Sequence, residues 1–329
     1  MWGRARFGLL VALGVGVAAC DGSVSSAKLK VRRLAPEADE IVAPDATLEH
    51  LAGDFGLLEG PVWSEDGHLL FADMAHHAVY RWADGEGVSI YLRQEGWDAK
   101  LPRGPNGLAF DRAGRLLICQ HGRRTLVRLE SDGSLTVLAD RFRGMRLNSP
   151  NDLAVRSDGH TYFTDPPFGL VGGYDDPRRE LDFSGIFVLF QAELRLVSKQ
   201  LSAPNGIALS PDEAFVYVSN SDADSPVVMR FEVDSVGGLD DGEVFFDFTH
   251  LDVEDSLDGM VTDRAGNLYV SSSAGIIIVN PDGRHLATIT LPLAPYNLAW
   301  GGADRRSLYI TAESSLYRLR LQPGVEMKN

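Results

Sequence analysis

The stretch NGLAFDRAGRLLICQHGRRTLVRLESDGSLTVLAD, residues 106–140, decides the fold because it contains four short apolar segments separated by turns. Gly107–Asp111 is the first predicted strand, and Arg112-Ala113-Gly114 after it is typical of a tight turn. No helical periodicity of 3.6 residues persists along the stretch. The other predicted strands are Arg115–Gln120, Thr125–Glu130 and Ser134–Ala139. The stretch therefore predicts one antiparallel unit of four strands.

The same pattern occurs six times along the chain. Each copy begins with a polar residue, usually followed by glycine, and continues with an apolar strand, a turn rich in Asp and Gly, and a second apolar strand. Successive copies begin 47, 45, 54, 53 and 38 residues apart, which suits propeller blades of roughly 40–50 residues. We therefore predict an all-β, six-bladed β-propeller. The copies begin at Glu59, Asn106, Asn151, Asn205, Asp258 and Tyr296.

The sixth copy ends with SSLYRLRL, residues 314–321, and has no fourth strand after it. A propeller ring must close, because open strand edges favour pairing with other chains. ATLEHLAG, Ala46–Gly53, precedes the first copy and can supply the missing strand. We expect this N-terminal strand to complete the last blade of a propeller over residues 45–322, with a C-terminal tail at 323–329.

The first twenty residues are predicted to lie outside the propeller. Arg4 and Arg6 precede an apolar run, Phe7–Ala19, that is too short to span a membrane comfortably. The run ends in Val17-Ala18-Ala19-Cys20, which resembles a bacterial lipobox. We expect a lipoprotein signal peptide at 1–19, lipidation of Cys20, and a polar tether at 20–44. The alternative is an ordinary secretory signal with a cysteine near its cleavage site.

This interpretation places the protein in a bacterial cell envelope, anchored to a membrane surface on the periplasmic or extracytoplasmic side. Removing residues 1–19, which hold two arginines and no acids, changes the formal charge from −15 to −17. With 31 Lys and Arg against 46 Asp and Glu, the chain is poorly suited to nucleic acid. The second cysteine, Cys119, lies in an apolar run and is expected to be a buried, inert thiol.

The propeller geometry predicts a ring of polar side chains around the central channel. The first residue of each copy begins the innermost strand, so these residues converge on the axis. They supply two carboxylates, Glu59 and Asp258, together with three side-chain amides. Such oxygen ligands suit a hard cation. Alternatively, the Asn-Gly pairs are turns in which the side chains bond local backbone, although Glu59 is not a turn former.

The connections after the second strand of each blade form a rim above this ring. His121 directly follows a strand end and could transfer a proton; the alternative is a residue that binds substrate or supports the structure. Asp165 and Phe168 begin the longest connection, which extends to about Ser184 and could form a lid or pocket wall. The sequence contains no G-x-S-x-G elbow, P-loop or H-E-x-x-H motif.

Four motifs in this order resemble the gluconolactonase / senescence marker protein (regucalcin) / luciferin-regenerating enzyme family, and bacterial gluconolactonases in particular. The resemblance covers about residues 45–322. The motifs are EGPVW from Glu59, NSPND followed by YFTDP, APNGIALSPDE, and LDGMVTDRAGNLYV.

The resemblance implies a divalent-metal-dependent hydrolase that opens sugar lactones. It implies one divalent cation, with Ca²⁺ as the first expectation and Mg²⁺, Mn²⁺ or Zn²⁺ as alternatives. Asp258 would also act as the general base, and Asn106 would line the substrate pocket. From their rim positions rather than from the resemblance, His121, Asp165 and Phe168 are also expected to contact substrate. The implied metal ligands are Glu59, Asn151, Asn205 and Asp258.

Some family members use the position of Asn151 mainly for substrate. Ser149 stands where some animal members have arginine, so their substrate preferences are not carried over.

Two other functions fit the same sequence. The metal site could serve another ester or phosphotriester hydrolase, or the propeller could bind a sugar, peptide or calcium without catalysis. The sequence does not determine the lactone, the metal or the oligomeric state.

Overall fold

A computed structural model describes residues 25–93, 103–251, 253 and 257–325. The protein is a six-bladed β-propeller, as predicted, and each blade is an antiparallel sheet built on strands that follow one another in the chain, with N-terminal strands added to blades 5 and 6. Residues 1–24, including Cys20, lie outside the described part. Within that part, no helix is long and apolar enough to cross a membrane.

The described chain begins at the rim of the propeller and then forms the first three blades in order. A two-stranded hairpin follows blade 2, and two short 3₁₀ turns, Pro167–Gly169 and Gly173–Asp175, lie in the long connection of blade 3. The elements are β1 (Ser25–Lys28), β2 (Lys30–Arg33), α1 (Ala38–Ile41), β3 (Thr47–Ala52), β4 (Leu58–Ser64), β5 (His68–Asp73), β6 (Ala78–Ala83), β7 (Gly87–Arg93), β8 (Pro105–Phe110), β9 (Leu116–Gln120), β10 (Thr125–Leu129), β11 (Leu135–Ala139), β12 (Arg141–Phe142), β13 (Met145–Arg146), β14 (Leu153–Val155), β15 (Thr161–Asp165), β16 (Gly185–Phe190) and β17 (Glu193–Ser198).

Blades 4 and 5 repeat the arrangement, and blade 6 contributes three consecutive strands. The remaining elements are β18 (Pro204–Leu209), β19 (Phe215–Asn220), β20 (Val227–Glu232), β21 (Glu243–Asp247), β22 (Met260–Thr262), β23 (Leu268–Ser272), β24 (Gly275–Val279), β25 (His285–Thr290), β26 (Pro295–Gly301), β27 (Ser307–Ala312) and β28 (Ser315–Arg320).

The N-terminal strand β3 completes blade 6 by pairing antiparallel with β28, which confirms the predicted closure. Leu48 lies opposite Leu319, and both are buried in the core that blades 5 and 6 share. At the rim, the guanidinium of Arg318 binds Glu49. The ring is therefore held shut by backbone pairing, apolar burial and an ion pair between the two ends of the domain.

Residues 25–44 differ from the predicted tether, because most of them pack on the propeller. β1 adds a fifth strand to blade 6, and β2 adds a fifth strand to blade 5. Leu29, Ile41 and Val42 are buried against these blades. In this segment single apolar residues alternate with charged ones, a pattern too short to predict a strand from the sequence alone. The segment forms strands because it pairs with the outer edges of the two blades. The propeller domain thus begins near Ser25 rather than residue 45.

Apolar strands from neighbouring blades form the core around the ring. Trp63 of blade 1 stacks on Tyr309 of blade 6, with ring centroids 5.3 Å apart. Cys119 is fully buried, and burial raises the pKa of its thiol well above the usual value. The predicted burial of this thiol is therefore confirmed, and the raised pKa agrees with the expectation that it is inert.

Candidate active site

The first residue of each repeat reaches the central channel at the start of the innermost strand of its blade. Glu59, Asn106 and Asn205 lie within β4, β8 and β18, whereas Asn151 and Asp258 come two residues before β14 and β22. All are buried except Asp258, which is partly exposed. The structure therefore brings the predicted side chains together in one ring.

In blade 6 the ring position belongs to Asn297 rather than to the first residue of the repeat, Tyr296. Asn297 is buried, and its amide donates to Oε2 of Glu59 at 3.2 Å and to Oδ2 of Asp152 at 3.4 Å. Tyr296 is only half-buried beside it. The repeat pattern is therefore out of phase by one residue in this blade.

The glycine that follows four of the ring residues is required by the close approach of the next blade. A Cβ atom on Gly206 would lie 2.3 Å from the carbonyl oxygen of Asp258, and one on Gly259 would lie 2.1 Å from the side chain of Asn297. These distances are far shorter than van der Waals contact. The recurring polar-Gly pair thus reflects contact between neighbouring blades around the channel rather than a turn.

The ring amides bond across blades. The amide nitrogen of Asn106 donates to Oδ1 of Asn151 at 3.0 Å and to Nε2 of His121 at 3.1 Å. That of Asn205 donates to the hydroxyl of Ser221 at 2.9 Å and to the carbonyl of Leu257 at 3.3 Å. The alternative of purely local turn bonding does not describe these two asparagines.

Three carboxylates lie near one another in the channel, and the ring side chains themselves carry no positive charge. Burial, and then the neighbouring Asp152, raise the pKa of Glu59. Burial, followed by Glu59 and Asp152, raises the pKa of Asp258 well above its usual value. Burial raises the pKa of Asp152 to about 6. Three like charges in a confined space are mutually destabilising, so a bound cation would stabilise the ring.

The unpaired oxygens of the ring fit such a cation. Oδ1 of Asn106 and Oδ1 of Asn205 are buried and have no hydrogen-bond partner. An unpaired buried acceptor costs about 1–3 kcal/mol, and a hard cation would satisfy both atoms together with Glu59 and Asp258. Within the described residues no three His, Cys, Asp or Glu side chains could hold a metal without such amides. Asn106, predicted to contact substrate, is thus equally available as a ligand.

His121 lies beside the ring, on the rim of blade 2, and is almost completely buried. Burial, assisted by the positive charge of Arg103, lowers its pKa to about 3. The imidazole is therefore neutral near pH 7, and its Nε2 accepts the hydrogen bond from Asn106. This geometry favours a binding or structural role over the predicted protonated acid.

Asp165 does not occupy the predicted substrate-contacting position. Its buried carboxylate accepts the backbone N–H of Asn148 at 2.7 Å and that of Ser149 at 2.8 Å. These bonds fix the connection that leads into Asn151, so Asp165 supports the ring from behind. Phe168 is half-buried in the neighbouring turn, and its contact with substrate stays a prediction.

Two residues near the ring were missed by sequence reasoning. Asp152 occupies the position that is glycine in four other repeats, and this departure from the pattern was a usable signal. Its carboxylate accepts hydrogen bonds from the backbone of Leu153 and from Asn297. Arg103 is exposed, and its charge lowers the pKa of both Glu59 and His121. No feature of the repeated sequence pattern indicated that Arg103 lies near the ring.

Beyond the ring the channel continues into a cavity of about 280 Å³ toward the opposite face of the propeller. Its walls are the later residues of the innermost strands, including Trp63 and Trp300, and Glu65 and Arg305 bond to each other at its mouth. Asp152 and Asn297 line this cavity. Since Asn297 also bonds Glu59, these two residues lie between the cavity and the Glu59 carboxylate.

The fold and this ring define a class of propellers with a channel site of carboxylates and amides. Residues 57–314 match the family model described as the SMP-30/gluconolactonase/LRE-like region. The chain belongs to this family.

Individual relatives agree with that assignment. A gluconolactonase of Zymomonas mobilis is 34% identical over 305 residues, covering 88% of this chain and 86% of the relative. The structure of a gluconolactonase from Xanthomonas campestris is similar with a TM-score of 0.78 and 32% identity, covering 90% of this chain and 97% of that one. A calcium-binding regucalcin of Agrobacterium tumefaciens shares the fold, with a TM-score of 0.66 and 20% identity over 84% of this chain and 95% of that one.

Proposed function

We propose that the protein is a lactonase that hydrolyses sugar lactones at the channel ring. The observation that carries this proposal is the similarity to the Zymomonas gluconolactonase, which extends over 88% of the chain. The family match over residues 57–314 includes every ring position. The buried carboxylates and unpaired amide oxygens described above support a cation site in this ring, because they would be costly to bury without one.

A divalent cation would be held by Glu59, Asn151, Asn205 and Asp258, with Oδ1 of Asn106 close to them. When bound, it would supply Lewis-acid polarisation of the lactone carbonyl. The calcium-binding regucalcin with the same fold makes Ca²⁺ the first ion to test.

Asp258 is proposed as the general base. It takes a proton from the attacking water as the water oxygen bonds to the carbonyl carbon, and the proton then passes to the ring oxygen when the ester C–O bond breaks. The carboxylates of Glu59 and Asp152 raise the pKa of Asp258, whereas a bound cation would lower it. The partial exposure of Asp258 in the channel leaves room for water and substrate.

The test is hydrolysis of sugar lactones in a pH-stat by metal-stripped protein, with Ca²⁺, Mg²⁺, Mn²⁺ or Zn²⁺ added back singly. Asp258→Asn should slow turnover by at least about 10²-fold. Asp263→Asn is the matched control, because Asp263 is a buried carboxylate of the same blade that bonds Asn267 and Tyr269. Activity of the Asp258→Asn protein, or silence with every lactone and ion, would contradict the proposal. A parallel panel of aryl esters and phosphotriesters distinguishes the other hydrolases.

We further propose that Cys20 carries a lipid that attaches the protein to a membrane surface outside the cytoplasm. The support is the apolar run Phe7–Ala19, whose last residues form Val17-Ala18-Ala19-Cys20 with the cysteine. Mass spectrometry of the N-terminal peptide should detect the lipid, and Cys20→Ala should release the protein from the membrane fraction. An unmodified Cys20 in the mature protein would reject this attachment.

A further inference from the structure

The sequence after the proposed lipid attachment is strongly basic, in contrast to the rest of the protein. Residues 28–33 read KLKVRR, so four of six consecutive residues are cations, although the mature chain has a formal charge of −17. A cationic cluster in an acidic protein makes the charge distribution asymmetric. Such an asymmetry orients a molecule in an external field.

This basic segment lies on the outer rim of the propeller. β1 and β2 are the outermost strands of blades 6 and 5. Lys28, Lys30 and Arg32 are all exposed. Leu29 between the two strands is buried and fixes the segment to the blades, so the cations belong to a folded surface rather than to a free tail.

Arg33 at the end of the basic segment and Leu34 directly after it face in different directions. Leu34 follows the basic segment and is 45% exposed. Arg33, by contrast, turns toward the protein, where it binds Asp39 and donates to the carbonyl of Val42. We name the exposed set the basic rim: Lys28, Lys30, Arg32 and Leu34. Three cations beside one apolar side chain suit a lipid headgroup layer.

The chain length fixes how far the basic rim can lie from the proposed anchor. Cys20 is five residues before Ser25, the first residue of β1. Five Cα–Cα steps span at most about 18 Å in any conformation. A lipid on Cys20 would therefore hold this rim close to the bilayer, whereas the opposite blades 2 and 3 would lie across the whole propeller.

We propose that the basic rim is a docking surface for an anionic phospholipid bilayer. This inference uses the proposed lipid on Cys20 to bring the rim close to the membrane. Cations within a Debye length of about 8–10 Å are attracted to anionic headgroups, while the acidic remainder of the protein is repelled. The protein then stands on the edge of blades 5 and 6, and both mouths of its channel open to water.

The experiment uses the full lipidated protein in vesicles of phosphatidylcholine, with or without phosphatidylglycerol. A fluorophore is attached to a cysteine at Ser26 in β1, or at exposed Thr136 in β11 on the opposite side of the ring. The native Cys119 is buried and does not compete for the label. Nitroxide-labelled lipids should quench the probe at 26 several-fold more than the probe at 136, and salt should weaken this difference. Equal quenching at both positions would overturn the proposal.

The charge dependence is tested with K28Q/K30Q/R32Q, which should reduce the quenching difference in phosphatidylglycerol vesicles to its value in phosphatidylcholine vesicles. The matched control R112Q/R143Q/K199Q removes the same charge from exposed positions around blades 2 and 3 and should preserve it. Unchanged quenching of the first variant would overturn the proposal.

If Cys20 of the mature protein proves unmodified, only the proposed lipid attachment is rejected. Docking of the basic rim is then tested by sedimentation of the full mature chain with vesicles. Binding that requires phosphatidylglycerol supports docking, and no binding, or equal binding to phosphatidylcholine, overturns it.

Discussion

Asn297 donates its side-chain amide to the carboxylate of Glu59 at 3.2 Å, which joins the last blade to the first beside the channel. The same amide reaches Asp152 at 3.4 Å. Asn297 therefore orients Glu59, a proposed metal ligand, and at the same time binds Asp152, whose carboxylate lines the cavity beyond the ring. Residues that orient metal ligands in this way affect metal affinity without binding the ion themselves.

We expect Asn297→Ala to weaken divalent cation binding by about 10–100-fold, because Glu59 loses its donor and the carboxylates repel one another more strongly. Titration calorimetry of the metal-stripped protein with Ca²⁺ measures this change. Asn267→Ala is the matched control, since Asn267 is also a buried amide bonded to a carboxylate, Asp263, but lies in the turn between β22 and β23. Equal losses in both variants would assign the effect to general destabilisation.

His121→Gln is expected to leave the turnover rate within about tenfold of that of the unchanged protein, whereas loss of a general acid costs about 10²–10⁴-fold. With a pKa of about 3, the imidazole is neutral in the working range, and a glutamine oxygen can still accept from Asn106. Steady-state kinetics at several pH values measures the turnover rate, KM and the pH dependence of both. Turnover that is slower by about 10²-fold or more, at unchanged KM, would restore the proton-transfer role.

The free energy of unfolding of the metal-free protein should decrease as pH rises from about 4 to 7, because of the carboxylates in the ring. Burial raises the folded pKa of Glu59 from 4.5 to about 7 and that of Asp152 from 3.8 to about 6. The folded state then binds more protons than the unfolded state in this window, so the free energy of unfolding decreases with pH. Saturating Ca²⁺ at a pH of about 7.5 should restore about 2.7 kcal/mol at a hundredfold excess over Kd.

Urea denaturation with chelator or Ca²⁺ at several pH values measures both effects. The Glu59→Gln/Asp152→Asn variant provides the reference, because its ring carries fewer titrating groups while the other carboxylates of the protein are unchanged. The difference in unfolding free energy between the two proteins should vary across the window. A difference that stays constant with pH would contradict the prediction.

Leu48→Ala should destabilise the protein by about 2–5 kcal/mol, because Leu48 of β3 is only 4% exposed in the core of the closing blade. Leu34→Ala is the control at a position that is 45% exposed, and its effect should stay within about 0.5 kcal/mol. Urea denaturation measures both. Deletion of residues 45–53 should abolish soluble folding, and a well-folded deletion protein would contradict the role of β3 in closure.

Sequence periodicity determined the propeller, its six blades and the strand that closes it. Turns and apolar strands are local features, so residues 106–140 predict a blade without knowledge of the others. The repeated pattern, a polar residue usually followed by glycine, also located Glu59, Asn106, Asn151, Asn205 and Asp258 in the channel. In the four copies that have the glycine, its physical origin is the close approach of the neighbouring blade, as seen at Gly206.

Tertiary structure decided the contacts that complete the site. Asn297 and Glu59 are 238 residues apart in the chain, and no local pattern shows that they bond, or that Asn297 replaces Tyr296 in the ring. The buried position of Asp165 and the proximity of Asp152 to two other carboxylates likewise depend on how the blades pack. Strands β1 and β2 form because the folded blades offer outer edges to pair with: β1 pairs with the closing strand β3 of blade 6, and β2 pairs with β25 of blade 5.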